Sequence, residues 1–444
     1  MIKIIYEILK SVNIKTSSSL NGNDIINLYS KFYKMTLKIL AIGDSTSNIY
    51  LMKKFAKNIE IHLIDFPKKG VDKTTTGKDG IEYFDSLLIS KQVEKIKKIK
   101  DRYDLCIAVP WAGARIAYLA GINYVMYFVG GDITTPPFSK ENKNYNFLER
   151  RFYKKILDNA IACIAPMDEY YTPLKKYRKD AIRLDRIFVD TEIFNEKIQP
   201  HKLKKEKFTF LSAQRFGLGK GIDKIWKAIE LCKSDFELLQ VKWFIEDDTT
   251  IEEFNGLSSI NKKLIDEKPD KVRFIPLIKR EELGKYFAGV DAIMGQMKGG
   301  GQGGIEREAA FCKKPVICYT DPKKPNIIDG ERIIPPFLPE SNEPQDIANI
   351  IDRVVESKQF RDNLAAKEYE YVKKLSDPEL VSKDWENIFG KVFEKDKILD
   401  RKLSIFDRLN NFIILKIEKM YIKKFREKNI RVWGKEEYER LTRD

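Results

Sequence analysis

The chain has 444 residues, too many for one ordinary domain, so two domains with appendages are expected. Apolar residues make up 43% and charged residues 33%, which excludes a disordered or collagen-like chain, and no apolar run reaches the roughly 18 residues of a membrane-spanning helix. The formal charge of +15 calls for an anionic partner, for which nucleic acid, acidic lipid and nucleotide-linked phosphates all qualify.

Residues 1–34 precede the first convincing strand and are expected to pack peripherally or to be disordered. The opening MIKIIYEILKSVNIK is broken by Glu7 and Lys10 and lacks a small-residue cleavage site, so it does not read as a secretory signal. From Leu37 a series of short apolar runs alternates with amphipathic stretches: LKILAI, IEIHLI, LCIAV from Leu105, YVMYFV from Tyr124 and AIACIAP from Ala160. Each ends near Gly, Pro, Asp or Ser, as strands of a parallel sheet feeding loops do. The polar, basic stretch from Asn195 to Lys207 contains Pro200 and reads as a linker. The alternation then restarts with FTFLSA from Phe208, VKWFI from Val241, VRFIPL from Val272, DAIMG from Asp291 and PVICY from Pro315. Helical patterns at Ile222–Cys232, Glu281–Ala288 and Ile347–Val355 separate them. Two Rossmann-like domains facing across a cleft follow, with ligands at the C-terminal ends of the strands. The organisation reads as an N-terminal extension (1–34), a first domain (35–200), a second domain (201–375), a returning helix (376–395) and a helical tail (396–444). In the tail Leu403, Phe406, Leu409, Ile413, Ile417, Met420 and Phe425 share one face. Lys416, Lys419, Lys423, Lys424 and Arg426 lie around it, a pattern suited either to docking on the protein or to lying on an anionic membrane.

Two segments carry the chemistry. In FTFLSAQRFGLGKGIDKIWKAI a strand runs into a loop holding Arg215, Gly217, Gly219, Lys220 and Gly221, and a helix starts near Ile222. Glycines allow close backbone approach, a helix start favours anions, and the two cations add full charges, which together suit a diphosphate. About 80 residues on (a separation read against the spacing of strand–loop–helix units), DAIMGQMKGGGQGGIEREAAFCKKPVICY places Gly299, Gly300, Gly301, Gly303 and Gly304 before a helix starting near Ile305. That is a second cradle of backbone N–H groups.

The order and spacing of these segments resemble glycosyltransferase family 4 and its two-domain GT-B relatives. Gln214-Arg215 through Lys220-Gly221 is similar to the family's first signature. Gly300-Gly301-Gln302-Gly303, Glu308-Ala309 and Pro315-Val316 are similar to its later one. Between them VRFIPLIKREELGKYFAGVDAIM, including Ile278, resembles the nucleotide-contacting strand and the helix after it; FVDTEIF from Phe188 and Trp385 resemble the segments that close the first domain. The resemblance implies that Arg215 and Lys220 neutralise a departing nucleoside diphosphate, that Glu308 binds the ribose and that the Gly303 and Gly304 amides face the phosphates, with Gly217, Gly301 and Ile278 also at the donor. Glu306, on a different helix face from Glu308, is then expected to be nearly silent, and Glu308→Gln to weaken nucleotide binding with little effect on folding. Two positions depart from the family: its sugar-contacting glutamate falls on Gly300, and its His-Gly near the acceptor falls on Gly130-Gly131, followed by Asp132.

In the first half Gly43, Asp44, Gly131 and the Pro110–Gly113 turn end strands and are candidates for the acceptor side, and Asp132 is a candidate to orient an acceptor hydroxyl. Each is equally an ordinary turn. No cofactor and no metal is expected, since departure of the diphosphate is met by fixed cations. Asp247-Asp248 reads as solvated, and the two histidines, His62 in a strand and His201 in the linker, offer no metal cluster. The five cysteines, Cys106, Cys163, Cys232, Cys312 and Cys318, are scattered and read as reduced core thiols of a cytoplasmic protein, peripheral to the inner membrane face if the tail binds lipid. The expected partners are a nucleotide sugar and a glycan or lipid-linked acceptor. Nucleic acid is not expected, for want of a binding module. A degenerate, non-catalytic GT-B protein that binds nucleotide sugar or glycan is the alternative.

Overall fold

A computed structural model describes residues 36–44, 46–67, 79–134, 138, 147–243 and 258–393, and in the tail 408–409, 412–413, 415–416, 420, 426, 430 and 433–443. The expectations for residues 1–34 and for Asp247-Asp248 lie outside the described residues.

The first domain is built on strands β1 (Leu37–Ile42), β2 (Ile59–Asp65), β3 (Ile81–Tyr83), β4 (Leu105–Ala108), β5 (Tyr124–Tyr127), β6 (Ala162–Ala165) and β7 (Ile182–Arg183), in the order β3-β2-β1-β4-β5-β6-β7. All pair in parallel, for example Leu40 with His62 and with Cys106. Runs such as LKILAI and LCIA are apolar without alternation because helices cover both faces of the sheet. The second domain carries β8 (Phe208–Ser212), β9 (Phe236–Val241), β10 (Val272–Ile275), β11 (Ala292–Met294) and β12 (Val316–Ile317) in the order β10-β9-β8-β11-β12, also parallel. A small antiparallel hairpin of β13 (Asn326–Ile328) and β14 (Glu331–Ile333) follows.

One strand differs from the sequence reading. The run VKWFI was expected to begin a strand at Val241, whereas β9 ends there. The preceding FELLQV pairs Phe236 with Phe208 and Leu238 with Val272, and buries Leu238, Leu239 and Val241. Two neighbouring apolar runs compete for one slot, and the one with partners on both sides holds it.

The two domains are closely joined. The helix Pro378–Phe393 returns to the first domain and buries Val381, Trp385, Phe389 and Val392 beneath its sheet, with Trp385 edge-on to Tyr127 at 4.9 Å between ring centres. The connection after β7 is held by ions: Arg186 pairs with Asp329 and Asp384, and Lys54 with Asp190. In the tail the helix Lys435–Thr442 docks on the first domain, where Leu87 N and Ser86 Oγ both donate to Leu441 O and where Tyr438 and Leu441 are buried. All five cysteines are free and buried. Among the described residues no helix is long and apolar enough to cross a membrane.

Candidate active site

The C-terminal ends of β8 and β11 open into the two glycine-bearing loops, and side chains tie the loops together. Lys220 Nζ donates to Gln296 Oε1 at 2.8 Å, and Gln296 Nε2 donates in turn to Gly301 O. Gln214 Nε2 reaches across to Gly295 O at 3.0 Å, and Met297 N donates to Lys220 O at 2.9 Å. A lysine charge, a helix beginning at Ile222 and a helix beginning at Gly304 are therefore fixed at one place. Helix starts leave N–H groups without intrahelical acceptors, and with the helix dipole they favour an anion. Arg215 lies at the same strand end and is exposed, while Gly217 beside it is buried.

Glu306 departs from its expected silence. Its carboxylate is almost wholly buried; Oε1 accepts from Gln296 N at 2.8 Å and Oε2 from Gly303 N at 2.7 Å. It caps the helix Gly304–Phe311 and holds the residue that positions Lys220. The Gly303 amide, expected to face the phosphates, is thereby taken by Glu306. The sequence carried a signal for this in the carboxylate at the third helical position after a glycine N-cap.

Glu308 is buried and forked onto the Arg280 guanidinium, which reaches it from the helix Arg280–Gly289 and stacks over Phe194 at 4.9 Å. Burial pushes the Glu308 carboxyl up, against the pull of Arg280. Its oxygens retain lone pairs for ribose hydroxyls, but the expectation that Glu308→Gln spares folding does not hold for a buried ion pair. Arg280 was not identified from the sequence, because the pair joins residues 28 apart on different elements. Ile278 lies in the core of the second domain, not on an open surface.

Gly300 stands at φ +70°, and a Cβ there would lie 2.8 Å from Cβ of Asp321. A glutamate at this position would need both a left-handed backbone and the space that Asp321 fills, which accounts for the glycine.

The first-domain candidates are engaged locally. Gly43, at φ +80°, is pressed between Val109 and Phe66, with room for no Cβ. Asp44 is buried; Oδ1 accepts from Thr46 N and Oδ2 from Tyr50 N, so it caps the helix Asn48–Phe55. Asp132 accepts from Val129 N at 3.2 Å within the turn that contains Gly131, and burial pushes its carboxyl up despite the backbone N–H groups around it. Both carboxylates stabilise the loops that carry them.

Two parallel-sheet domains joined by a short connection and crossed by a returning helix, with an anion cradle at the strand ends of the second, define the GT-B glycosyltransferase architecture. Residues 193–371, most of the second domain, match the model of the family described as glycosyl transferases group 1. Solved structures agree in fold. The Anabaena protein HepE, crystallised with UDP and glucose, superposes with a TM-score of 0.59 at 17% identity, over 80% of this chain and all of that one. Sucrose-phosphate synthase from Thermosynechococcus elongatus gives a TM-score of 0.57 at 15% identity, over 80% of this chain and 99% of that one. A glycosyltransferase from Rickettsia africae gives 0.56 at 17% identity, over 81% and 100%. Comparison with curated protein sequences returns no match.

Proposed function

We propose that this protein transfers a sugar from a nucleoside-diphosphate donor to a glycan or lipid-linked acceptor, with retention at the anomeric carbon and without a divalent metal. The observation that carries the reading is the Lys220–Gln296–Gly301 chain, which fixes a cation and a helix start on one small volume. As the glycosidic bond breaks, negative charge grows on the diphosphate, and fixed donors that need no reorganisation stabilise it. Arg215 and Lys220 meet that charge, the Gly304 amide and its neighbours add hydrogen bonds, and the Glu308–Arg280 pair receives the ribose. UDP is the first nucleotide to test, since the structural relative HepE was crystallised with it. Thermal stabilisation by a panel of nucleotide sugars, followed by transfer of a radiolabelled donor, tests the reading. Stabilisation without transfer or hydrolysis favours the non-catalytic alternative, which Gly300 and its occupied neighbourhood support.

The tail completes the proposal. Leu409, Phe412, Ile413 and Met420 are helical and are 56%, 56%, 38% and 69% exposed, although their spacing puts them on one face. With the basic residues around them they suit the surface of an anionic membrane, at the cytoplasmic side, where a lipid-linked acceptor resides. Flotation with phosphatidylserine vesicles should be lost when Phe412 and Met420 are both changed to Asp; equal flotation of the two proteins removes this part.

A further inference from the structure

Arg307 lies one residue beyond the Glu306 cap, and its side chain is 2% exposed. None of Nε, Nη1 and Nη2 has a hydrogen-bond partner. Tyr371 of the second domain, Asp185 of the connection, Tyr127 at the end of β5 in the first domain, and Glu306 are near enough to act on it electrostatically. It therefore sits in the seam between the domains. The carboxylates within reach are already occupied. Asp185 accepts from Met167 N, from Ile327 N and from the Arg183 guanidinium. Glu306 is held by Gln296 N and Gly303 N. Tyr371 OH accepts from Gln302 Nε2 at 2.7 Å. A further donor is stranded in the connected hairpin, where Asn326 is 2% exposed and its Nδ2 has no partner. The seam thus holds buried donors in excess of acceptors, one of them a full cation.

A buried guanidinium that no acceptor hydrogen-bonds is unfavourable even with carboxylates nearby, because its desolvation is not repaid by direct bonds. We propose that Arg307 receives an oxyanion, a carboxylate or phosphate group, that the substrates carry into the interdomain seam. This rests on the donor site above and specifies it: Arg307 belongs to the helix that starts at Gly304, and Tyr127 of the first domain acts on it from across the seam. The oxyanion comes either from the transferred sugar, as a uronate carboxylate, or from the acceptor, as a phosphate. The planar fork of the guanidinium takes two oxygens at once, which neither a hydroxyl nor a neutral sugar supplies.

The full-length protein and Arg307→Met are titrated calorimetrically with UDP, UDP-glucose and UDP-glucuronate, and with inorganic phosphate after saturation with UDP. The parent should bind UDP-glucuronate about tenfold or more tightly than UDP-glucose if the sugar carries the oxyanion, or bind phosphate in the UDP complex if the acceptor does. Either preference should vanish in Arg307→Met while UDP affinity stays unchanged. Absence of both preferences in the parent, or their survival in the variant, overturns the proposal. Thermal melts provide an independent readout: without ligand Arg307→Met should melt at or above the parent temperature, since a stranded charge is replaced by an apolar chain of similar length. A clear drop instead shows a protein partner for the guanidinium and overturns the proposal as well. If the parent fails to bind UDP in any form, the donor site itself is wrong. That result is distinct from UDP binding without oxyanion discrimination.

Discussion

The two domains share one plan, parallel strands whose C-terminal ends open into glycine-bearing turns before helices, yet the candidate site residues of the two are engaged differently. In the first domain Asp44 caps the helix that follows it, and Asp132 braces its own turn. In the second, Lys220, Gln296, Glu306, Glu308 and Arg280 connect elements far apart in the chain. A carboxylate closing its own loop stabilises that loop. Side chains that join separate loops build a rigid concave surface, and preorganised charge on such a surface is what a departing diphosphate requires.

The contrast is sharpest under mutation. Lys220→Ala should lower turnover roughly 10- to 1000-fold, because charge-assisted bonds to the leaving group are lost where they are strongest. Arg215→Ala should act in the same direction, and the double variant should be less than additive, since both groups serve one ligand. Steady-state kinetics on the chosen donor checks this. Next in size is Glu308→Gln, which leaves Arg280 with a neutral partner. It should weaken nucleotide binding about tenfold and reduce stability by about 1–3 kcal/mol, measured by calorimetry and denaturant unfolding. Glu306→Gln keeps one acceptor oxygen for the two amides that the carboxylate serves, sets an NH2 against the other and gives up the charge at a helix start. A loss of about 1 kcal/mol is expected, accompanied by weaker diphosphate binding because Gln296 and Lys220 shift with it. The smallest functional effect belongs to Asp44→Ala. Stability should fall by about 1–2 kcal/mol, as for the loss of a cap, with diphosphate affinity unchanged. Loss of diphosphate binding in Asp44→Ala at constant stability would erase the distinction between the domains.

Much of this was legible in the sequence. The apolar runs from LKILAI to PVICY mark nine of the strands, because a sheet covered on both faces leaves no alternation to misread. The β9 strand was placed one segment late, since FELLQV and VKWFI are equally apolar and only pairing with β8 and β10 separates them. The strands β3, β7 and the β13–β14 hairpin are two or three residues long and leave no periodic trace. The two glycine loops and Lys220 were readable from turn chemistry and spacing. Arg280 was not, because its meaning lies in a partner on another helix. Glu306 reads as a nearly silent charge, and nothing in IEREAA singles out Arg307 until the fold buries both, one saturated by amides and the other without an acceptor.

The central claim is that one diphosphate sits between the Arg215–Lys220 loop and the start of the helix at Gly304. Calorimetric titration of UDP into the parent protein, Lys220→Ala and Arg215→Ala tests it most directly. The account predicts binding by the parent and a drop of about tenfold or more in affinity for each variant, while each variant still melts cooperatively in the absence of ligand. Equal affinity in all three proteins would place the nucleotide elsewhere and contradict the assignment.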